Sequence, residues 1–312
     1  MKIVISIGDC NGVGLEILLA NHKRVSKLCT PLYCAEEALL KEAARKLKIK
    51  YPKSLKCIAP NAKIPPIKPA KICAESGAYS YESFLTALDW TLQGKTKALV
   101  TLPIHKKAWQ LAGIPYAGHT EAMRALLKPQ QNPAIMVLGS PKLYVALFTD
   151  HIPLKCVAQS IDAQSLKNFL LSLAPHITKA PCGVLGLNPH AGDFGVLGDE
   201  EEAITQAIKE ANNALKQRLF VGPLVPDTAF VGKHLRYYVA MYHDQGLIPL
   251  KTLYFKESIN LTLNLPIIRT SVDHGTAFDI AYQHKADSTS YLNAVREAVF
   301  RVKIQEGKTI KK

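Results

Sequence analysis

The sequence has no long apolar run, no paired cysteine spacing and few aromatic residues, and each lack removes a class of protein. No stretch approaches the roughly 20 apolar residues that span a bilayer. The run Ile3 to Ile7 breaks at Gly8-Asp9, too short for a secretory signal. No membrane attachment and a cytoplasmic location are therefore expected. The seven cysteines, at 10, 29, 34, 57, 73, 156 and 182, are odd in number, scattered and never spaced C-x-x-C. That argues against a disulfide framework and a thiolate metal site, and for buried free thiols. Also missing are H-E-x-x-H, zinc-finger spacing, G-x-G-x-x-G, the Gly-Lys-Ser/Thr of a P-loop and the G-x-S-x-G elbow of an α/β serine hydrolase.

What is present is ordinary globular composition: 312 residues, 48% hydrophobic, 21% charged and 7% aromatic. Disorder, collagen and coiled coil are excluded on these figures. A chain of this length sits near the size at which one core splits into two, so two lobes are expected. The net charge of +14 raises the question of nucleic acid, and its distribution answers it. Residues 41 to 71 carry ten Lys or Arg against Glu42 alone, and residues 301 to 312 carry five against Glu306. These two stretches hold nearly all of the excess. The first runs from a helical pattern into a Pro-rich segment without interleaved aromatics, which reads as solvated surface rather than a nucleic-acid groove.

Short β-like apolar runs alternate with helical ones: Ile3 to Ile7 then Leu15 to Ala20, Leu32 to Cys34 then Glu36 to Leu47, Ala98 to Thr101 then Ile104 to Ala112. This is βαβ patterning and predicts an α/β fold. Two runs, Ala134 to Leu138 and Leu143 to Thr149, flank Gly139-Ser140-Pro141 and predict a hairpin, hence a mixed sheet. Helices are expected near 162 to 173, 199 to 215 and 288 to 302, with strands near 184 to 187, 237 to 241 and 259 to 263.

Four histidines, His151, His190, His243 and His274, each follow a strand-like run and sit among turn residues. In α/β sheets that is the carboxyl edge, where ligands bind. A single such histidine is commonly structural; four point to a site, with any metal assembled from distant segments. Gly8, Gly12 and Gly14 between the first strand and first helix fit either a tight packing turn or an anion cradle. Thr120, in Gly118-His119-Thr120-Glu121, is placed to cap the following helix, with His119 either facing a cleft or part of that cap. Lys251, Asn260 and Arg269 lie on or beside later strands, and Arg269, after the apolar 265 to 268 run, is a candidate anion clamp.

These segments together resemble the 4-hydroxythreonine-4-phosphate dehydrogenases of vitamin B6 synthesis. The resemblance runs from Gly8-Asp9 through Pro103-Ile104-His105-Lys106, His119-Thr120-Glu121, Asn188-Pro189-His190-Ala191-Gly192, Gly222-Pro223-Leu224, Tyr242-His243-Asp244-Gln245-Gly246 and Arg269-Thr270-Ser271-Val272-Asp273-His274-Gly275-Thr276. It implies the α/β fold of the isocitrate and isopropylmalate dehydrogenases, two lobes with mixed sheets around a central cleft and a non-Rossmann cofactor site. The first lobe would comprise 1–128 plus 272–312, the second 129–271, each boundary to within ten residues. It implies His151, His190 and His243 as ligands of a divalent metal (Zn, Co, Mg, Ni or Mn), with His243 supplied by the partner of a homodimer. His119, Thr120, Lys251, Asn260 and Arg269 are implied as the substrate-binding set, and His274 and Gly275 as contacts to NAD.

The implied reaction is NAD-dependent oxidation of the 3-hydroxyl of 4-phosphooxy-L-threonine to a β-keto acid, which loses CO2 to give 3-amino-2-oxopropyl phosphate. Asp244 and Asp227 are the candidate general bases. Where the family carries Ala-Gly-x-Gly, this chain reads Ala281-Tyr282-Gln283-His284, so a reshaped adenosine pocket is expected, with NAD favoured over NADP. Two alternatives remain: a paralogous dehydrogenase of another phosphorylated hydroxy acid, such as phospho-erythronate or phospho-threonate, and a metal-dependent hydrolase using the same histidines.

Overall fold

A computed structural model describes residues 1–127, 133–178, 181–232 and 235–307. The chain divides into two compact units, Met1–Gln130 with Leu265–Lys312, and Gln131–Asn264. The expected division at 128/129 lies outside the described residues. The observed return at 264/265 lies within the ten-residue bound on the expected 271/272, and the strand carrying Arg269 pairs within the first unit.

The first unit opens β1 (Lys2–Ser6), α1 (Gly14–Val25), β2 (Thr30–Cys34), α2 (Glu37–Lys46), β3 (Cys57–Ile58), α3 (Ala74–Leu92), β4 (Leu99–Thr101), α4 (Lys106–Leu111) and α5 (His119–Leu126). The second comprises β5 (Ile135–Gly139), β6 (Tyr144–Leu147), α6 (Ala163–Leu173), β7 (Cys182–Leu185), α7 (Glu200–Leu215), β8 (Phe220–Leu224), β9 (Tyr237–Ala240), α8 (His243–Tyr254) and β10 (Ile259–Leu263). The chain then returns to the first unit with β11 (Arg269–Val272) and α9 (Thr289–Gln305).

In the first unit the strands lie in the order β3-β2-β1-β4-β11, all parallel. Parallel strands are covered on both faces, which is why Ile3, Val4, Ile5, Leu99 and Val100 are fully buried in near-continuous apolar runs. In the second unit the order is β10-β5-β6-β9-β7-β8, with β10-β5 and β5-β6 antiparallel and the rest parallel. This is the mixed sheet anticipated from the hairpin. Its turn is closed by Ser140, whose amide donates to the Leu143 carbonyl at 2.7 Å while Leu143 returns a bond to Ser140.

Two long helices were not anticipated. The buried face of α3 is mixed: Ser76, Gly77, Ser80 and Ser83 lie on it beside Tyr79, Phe84, Ala87 and Leu88. Ser80 donates to the Gly77 carbonyl and Ser83 to the Cys34 carbonyl, so polar residues interrupt the hydrophobic periodicity that marks a helix. Gly246 and Pro249 inside α8 are helix breakers by propensity, overridden here by packing. All ten basic residues of 41 to 71 are exposed, as solvated surface requires. All seven cysteines are free; Cys57, Cys73 and Cys156 are only partly buried, a departure from the expectation of a wholly buried set.

Candidate active site

Two groups of candidate residues form, one in each unit. In the first unit Arg269 starts β11 and is 4% exposed. Its Nη2 donates to the Thr101 hydroxyl at the end of β4 at 2.8 Å. Burial pulls its pKa down to about 9, which leaves it charged at neutral pH. His119 opens α5 and is 9% exposed, and its Nε2 is buried without a hydrogen-bond partner. Burial first, and the neighbouring Arg269 second, hold this imidazole well below its ordinary value, hence neutral. The predicted cap does not form. Gly118 is the N-cap residue, and Glu121 instead reaches back to accept from the Ala117 amide, so Thr120 lies inside the first turn.

His105, which the sequence marked only as part of a longer match, stacks on Phe278 at 4.9 Å and also has a buried, unpartnered ring nitrogen, Nδ1. His274 is a third case: Nδ1 lies 2.9 Å from the Gly275 carbonyl, while Nε2 is buried and unpartnered. Nothing crowds the space a side chain at Gly275 would occupy. An orphaned imidazole nitrogen beside uncrowded backbone fits a dinucleotide contact at 274–275.

The N-terminal turn does not serve as an anion cradle through its first amides. Those of Asp9, Asn11, Gly12 and Val13 are spent on the Pro103 carbonyl, the Asp9 carboxylate, the Asp9 carbonyl and the Thr276 carbonyl. It is a packing turn, organised by buried Asp9, whose carboxyl also accepts from Ser76 at 3.1 Å and is raised by burial. The departure at 281–284 is milder than the sequence suggests. Tyr282 and His284 keep left-handed backbone, φ 62° and 60°, where the related pattern has glycines. The Tyr282 hydroxyl turns inward onto the Cys10 carbonyl at 2.8 Å.

In the second unit His151, His190 and His243 follow β6, β7 and β9 respectively. The rings of His151 and His243 of the same chain lie 5.4 Å apart, close to the ~5 Å expected of two imidazoles on one tetrahedral ion. His243 Nδ1 is 2.6 Å from Asp244 Oδ1, which leaves Nε2 as the free ligand and gives the carboxylate the orienting position common behind metal-bound histidines. Borderline nitrogen donors so oriented fit a transition-metal ion. His190 does not join them: among the described residues no group of three or more His, Cys, Asp or Glu side chains is placed to hold a metal. Asp227 is exposed, Lys251 lies in the last turn of α8 with its ammonium 5.4 Å over the Phe255 ring, and Asn260 stands on β10 opposite Leu138.

His190 begins five consecutive left-handed residues, from φ 55° at His190 to φ 57° at Phe194. Such backbone costs roughly 1–2 kcal/mol per non-glycine residue and must be held from outside. Glu201, which no sequence pattern marks, anchors the residues just before this turn. It is 7% exposed; Oε1 accepts from the Leu187 and Asn188 amides at 2.8 and 2.7 Å, and Oε2 from Asn188 Nδ2 at 2.9 Å.

With this geometry in place, the chain matches the family model of the pyridoxal phosphate biosynthetic protein PdxA over residues 27–298. It is 52% identical to the 4-hydroxythreonine-4-phosphate dehydrogenase of Sulfurimonas denitrificans over 302 residues, covering 96% of this chain and 97% of that one. It is 47% identical to that of Campylobacter fetus, with the same coverage. Crystal structures of such enzymes from Klebsiella pneumoniae and Burkholderia phymatum superpose with TM-scores of 0.79 and 0.78 at 30% and 31% identity, over 96% of this chain and 98% and 97% of theirs. A terephthalate dihydrodiol dehydrogenase from Burkholderia xenovorans, 22% identical over 100% of this chain and 99% of that one with a TM-score of 0.67, shares the fold.

Proposed function

The chain belongs to the PdxA family and is an oxidoreductase acting on a CH–OH group, and from that premise we propose that it oxidises the 3-hydroxyl of 4-phosphooxy-L-threonine with NAD and a divalent cation, the product then losing CO2 to give 3-amino-2-oxopropyl phosphate. The observation that carries the substrate class is the buried Arg269 beside neutral His119: a fixed cation and an unpartnered imidazole suit a phosphate or carboxylate next to a hydroxyl. Thr101 aims the guanidinium, and Thr120 lies next to His119 in the first turn of α5. Lys251 and Asn260, both in the second unit, are the other residues the resemblance implies for the substrate.

When bound, the cation would polarise the reacting oxygen and NAD would accept the hydride. His151, His190 and His243 would hold the cation, with Asp244 orienting His243. Asp227 and Asp244 are the carboxylates proposed to accept the hydroxyl proton. The contact of Asp244 with His243 Nδ1 favours an orienting role for it and so favours Asp227 as base. His274 and Gly275 would meet the dinucleotide. The working form we propose is a homodimer with a shared active site. Its support is the number of large apolar side chains that the second unit exposes, among them Leu154, Phe194, Val196, Ile248 and Phe255, each at least 65% accessible. The resemblance assigns His243 to the partner subunit, and in this chain its ring lies 5.4 Å from the same chain's His151.

The test is NADH formation from 4-phosphooxy-L-threonine with the product identified by mass spectrometry. Turnover of phospho-erythronate or phospho-threonate instead would move the substrate within the class. Phosphate release without NAD would replace the dehydrogenase with a hydrolase.

A further inference from the structure

His119 is walled by aromatic rings. Phe84 of α3 meets the imidazole edge-on at 5.0 Å and 62°, and Trp109 of α4 at 5.3 Å and 79°. Neither ring offers a hydrogen-bond partner to Nε2, so shape alone sets the orientation of the imidazole on these sides.

Trp109 is fully buried and is itself fixed. Its indole Nε1 donates to Ser80 Oγ at 2.8 Å, and Ser80 donates onward to the Gly77 carbonyl at 2.8 Å. Tyr81 packs edge-on against the indole at 5.2 Å and 78°. The approach of α4 to α3 depends on Gly77, where a Cβ would stand 2.1 Å from the Ala108 carbonyl oxygen and 3.0 Å from the Trp109 amide. Position passes from α3 to α4, from α4 to Trp109, and from Trp109 to His119. These are buried packing contacts, which transmit displacement because the interior has little room to absorb it.

We propose that Trp109 is a positioning residue for substrate recognition: with Phe84 it locks the His119 ring beside Arg269 and presents Nε2 to a polar group of the phosphorylated hydroxy acid. This rests on the reading of His119 as a substrate-binding residue. Among the described residues Nε2 has no hydrogen-bond partner, and the aromatic walls keep the ring from turning to find one. The ligand then supplies the missing partner once the atoms that cover Nε2 make way, while the ring itself keeps its orientation.

The experiment compares Trp109→Leu, Trp109→Phe, Ser80→Ala and His119→Asn with the unaltered protein. It measures calorimetric binding of 4-phosphooxy-L-threonine without oxidised dinucleotide, the split between KM and kcat, and the 15N resonances of the His119 ring. Trp109→Leu should weaken binding and raise KM by about tenfold while kcat stays within about threefold, because uniform binding is what is lost. His119→Asn should do the same, and the double variant should be no worse than either single one. Trp109→Phe should recover most of the loss, and the ring resonances should shift or broaden only where the wall is removed.

Unchanged binding in Trp109→Leu alongside weakened binding in His119→Asn would overturn the positioning role and leave His119 standing. Unchanged binding in His119→Asn would overturn the reading of His119, and the positioning role with it. If Trp109→Leu does not fold, Ser80→Ala decides: a smaller rise in KM supports the proposal and an unchanged KM ends it. Should the unaltered protein not bind 4-phosphooxy-L-threonine, that substrate assignment fails, and the same comparison is read with whichever phosphorylated hydroxy acid it oxidises.

Discussion

The two units arrange their histidines in opposite ways. In the first, His105, His119 and His274 each bury a ring nitrogen that has no hydrogen-bond partner. In the second, His151 and His190 are exposed and His243 is half-buried with its Nδ1 already against a carboxylate. A buried imidazole nitrogen without a partner suits recognition of an organic ligand whose groups complete its hydrogen bonds. A wet imidazole, oriented by a carboxylate and next to another, suits a cation, which needs open positions and an entry path. One residue type would therefore serve the two proposed chemistries, divided by burial.

The comparison breaks most sharply at His243. His243→Ala removes one of the two adjacent rings, and we expect metal affinity measured by calorimetry to fall at least about 100-fold, with turnover lost and the fold intact. Full activity of the chelator-treated variant would refute the assignment.

The next effect tests whether the open side is held as firmly as the closed one. A Cβ at Gly192, at φ 79°, would stand 2.7 Å from Glu201 Oε2, so Gly192→Ala pits the left-handed turn against its anchor. We expect a loss of about 1–3 kcal/mol in denaturant unfolding and faster amide exchange across 187–195. A variant as stable as the parent would mean that the turn is not held through Glu201.

The smallest effect concerns pH. Burial holds His119, and likewise His22 between the Tyr33 and Ser54 hydroxyls, below the ordinary 6.5. As pH falls through about 6.5 the unfolded chain takes up protons that the folded one refuses, so stability declines toward pH 5, by at most about 1.4 kcal/mol per proton per pH unit. Asp9, raised above 3.8 by burial, acts in the opposite sense: its contribution is present at low pH and is lost as pH rises through its folded value. Thermal melts from about pH 5 to 7 should rise with pH, and His22→Gln should flatten part of that slope. A flat profile in the parent would show that these rings are not buried neutral.

Much of the fold was legible because parallel strands buried on both faces, such as β1 and β2, read as short continuous apolar runs, while a helix with one buried face, such as α7, repeats its apolar residues every 3.6. It failed at α3, whose buried serines interrupt the apolar stripe of its buried face, and at α8, whose Gly246 and Pro249 read as breakers. Histidines after β6, β7, β9 and β11 were visible from their turn neighbours. Glu201 was not, since a glutamate in the acidic first turn of α7 looks like ordinary helix-dipole complementarity until its carboxylate is seen to collect the Leu187 and Asn188 amides.

From residue order alone came the α/β alternation, the hairpin at Ser140, the strand-end histidines and the family resemblance, since all of these are written in local spacing. Which nitrogen is left without a partner, which two rings stand within reach of one ion, and which glycine lets α4 touch α3 were settled by the packing of segments distant along the chain. Burial and hydrogen-bond satisfaction belong to a residue's surroundings, and the surroundings exist only once the chain has folded.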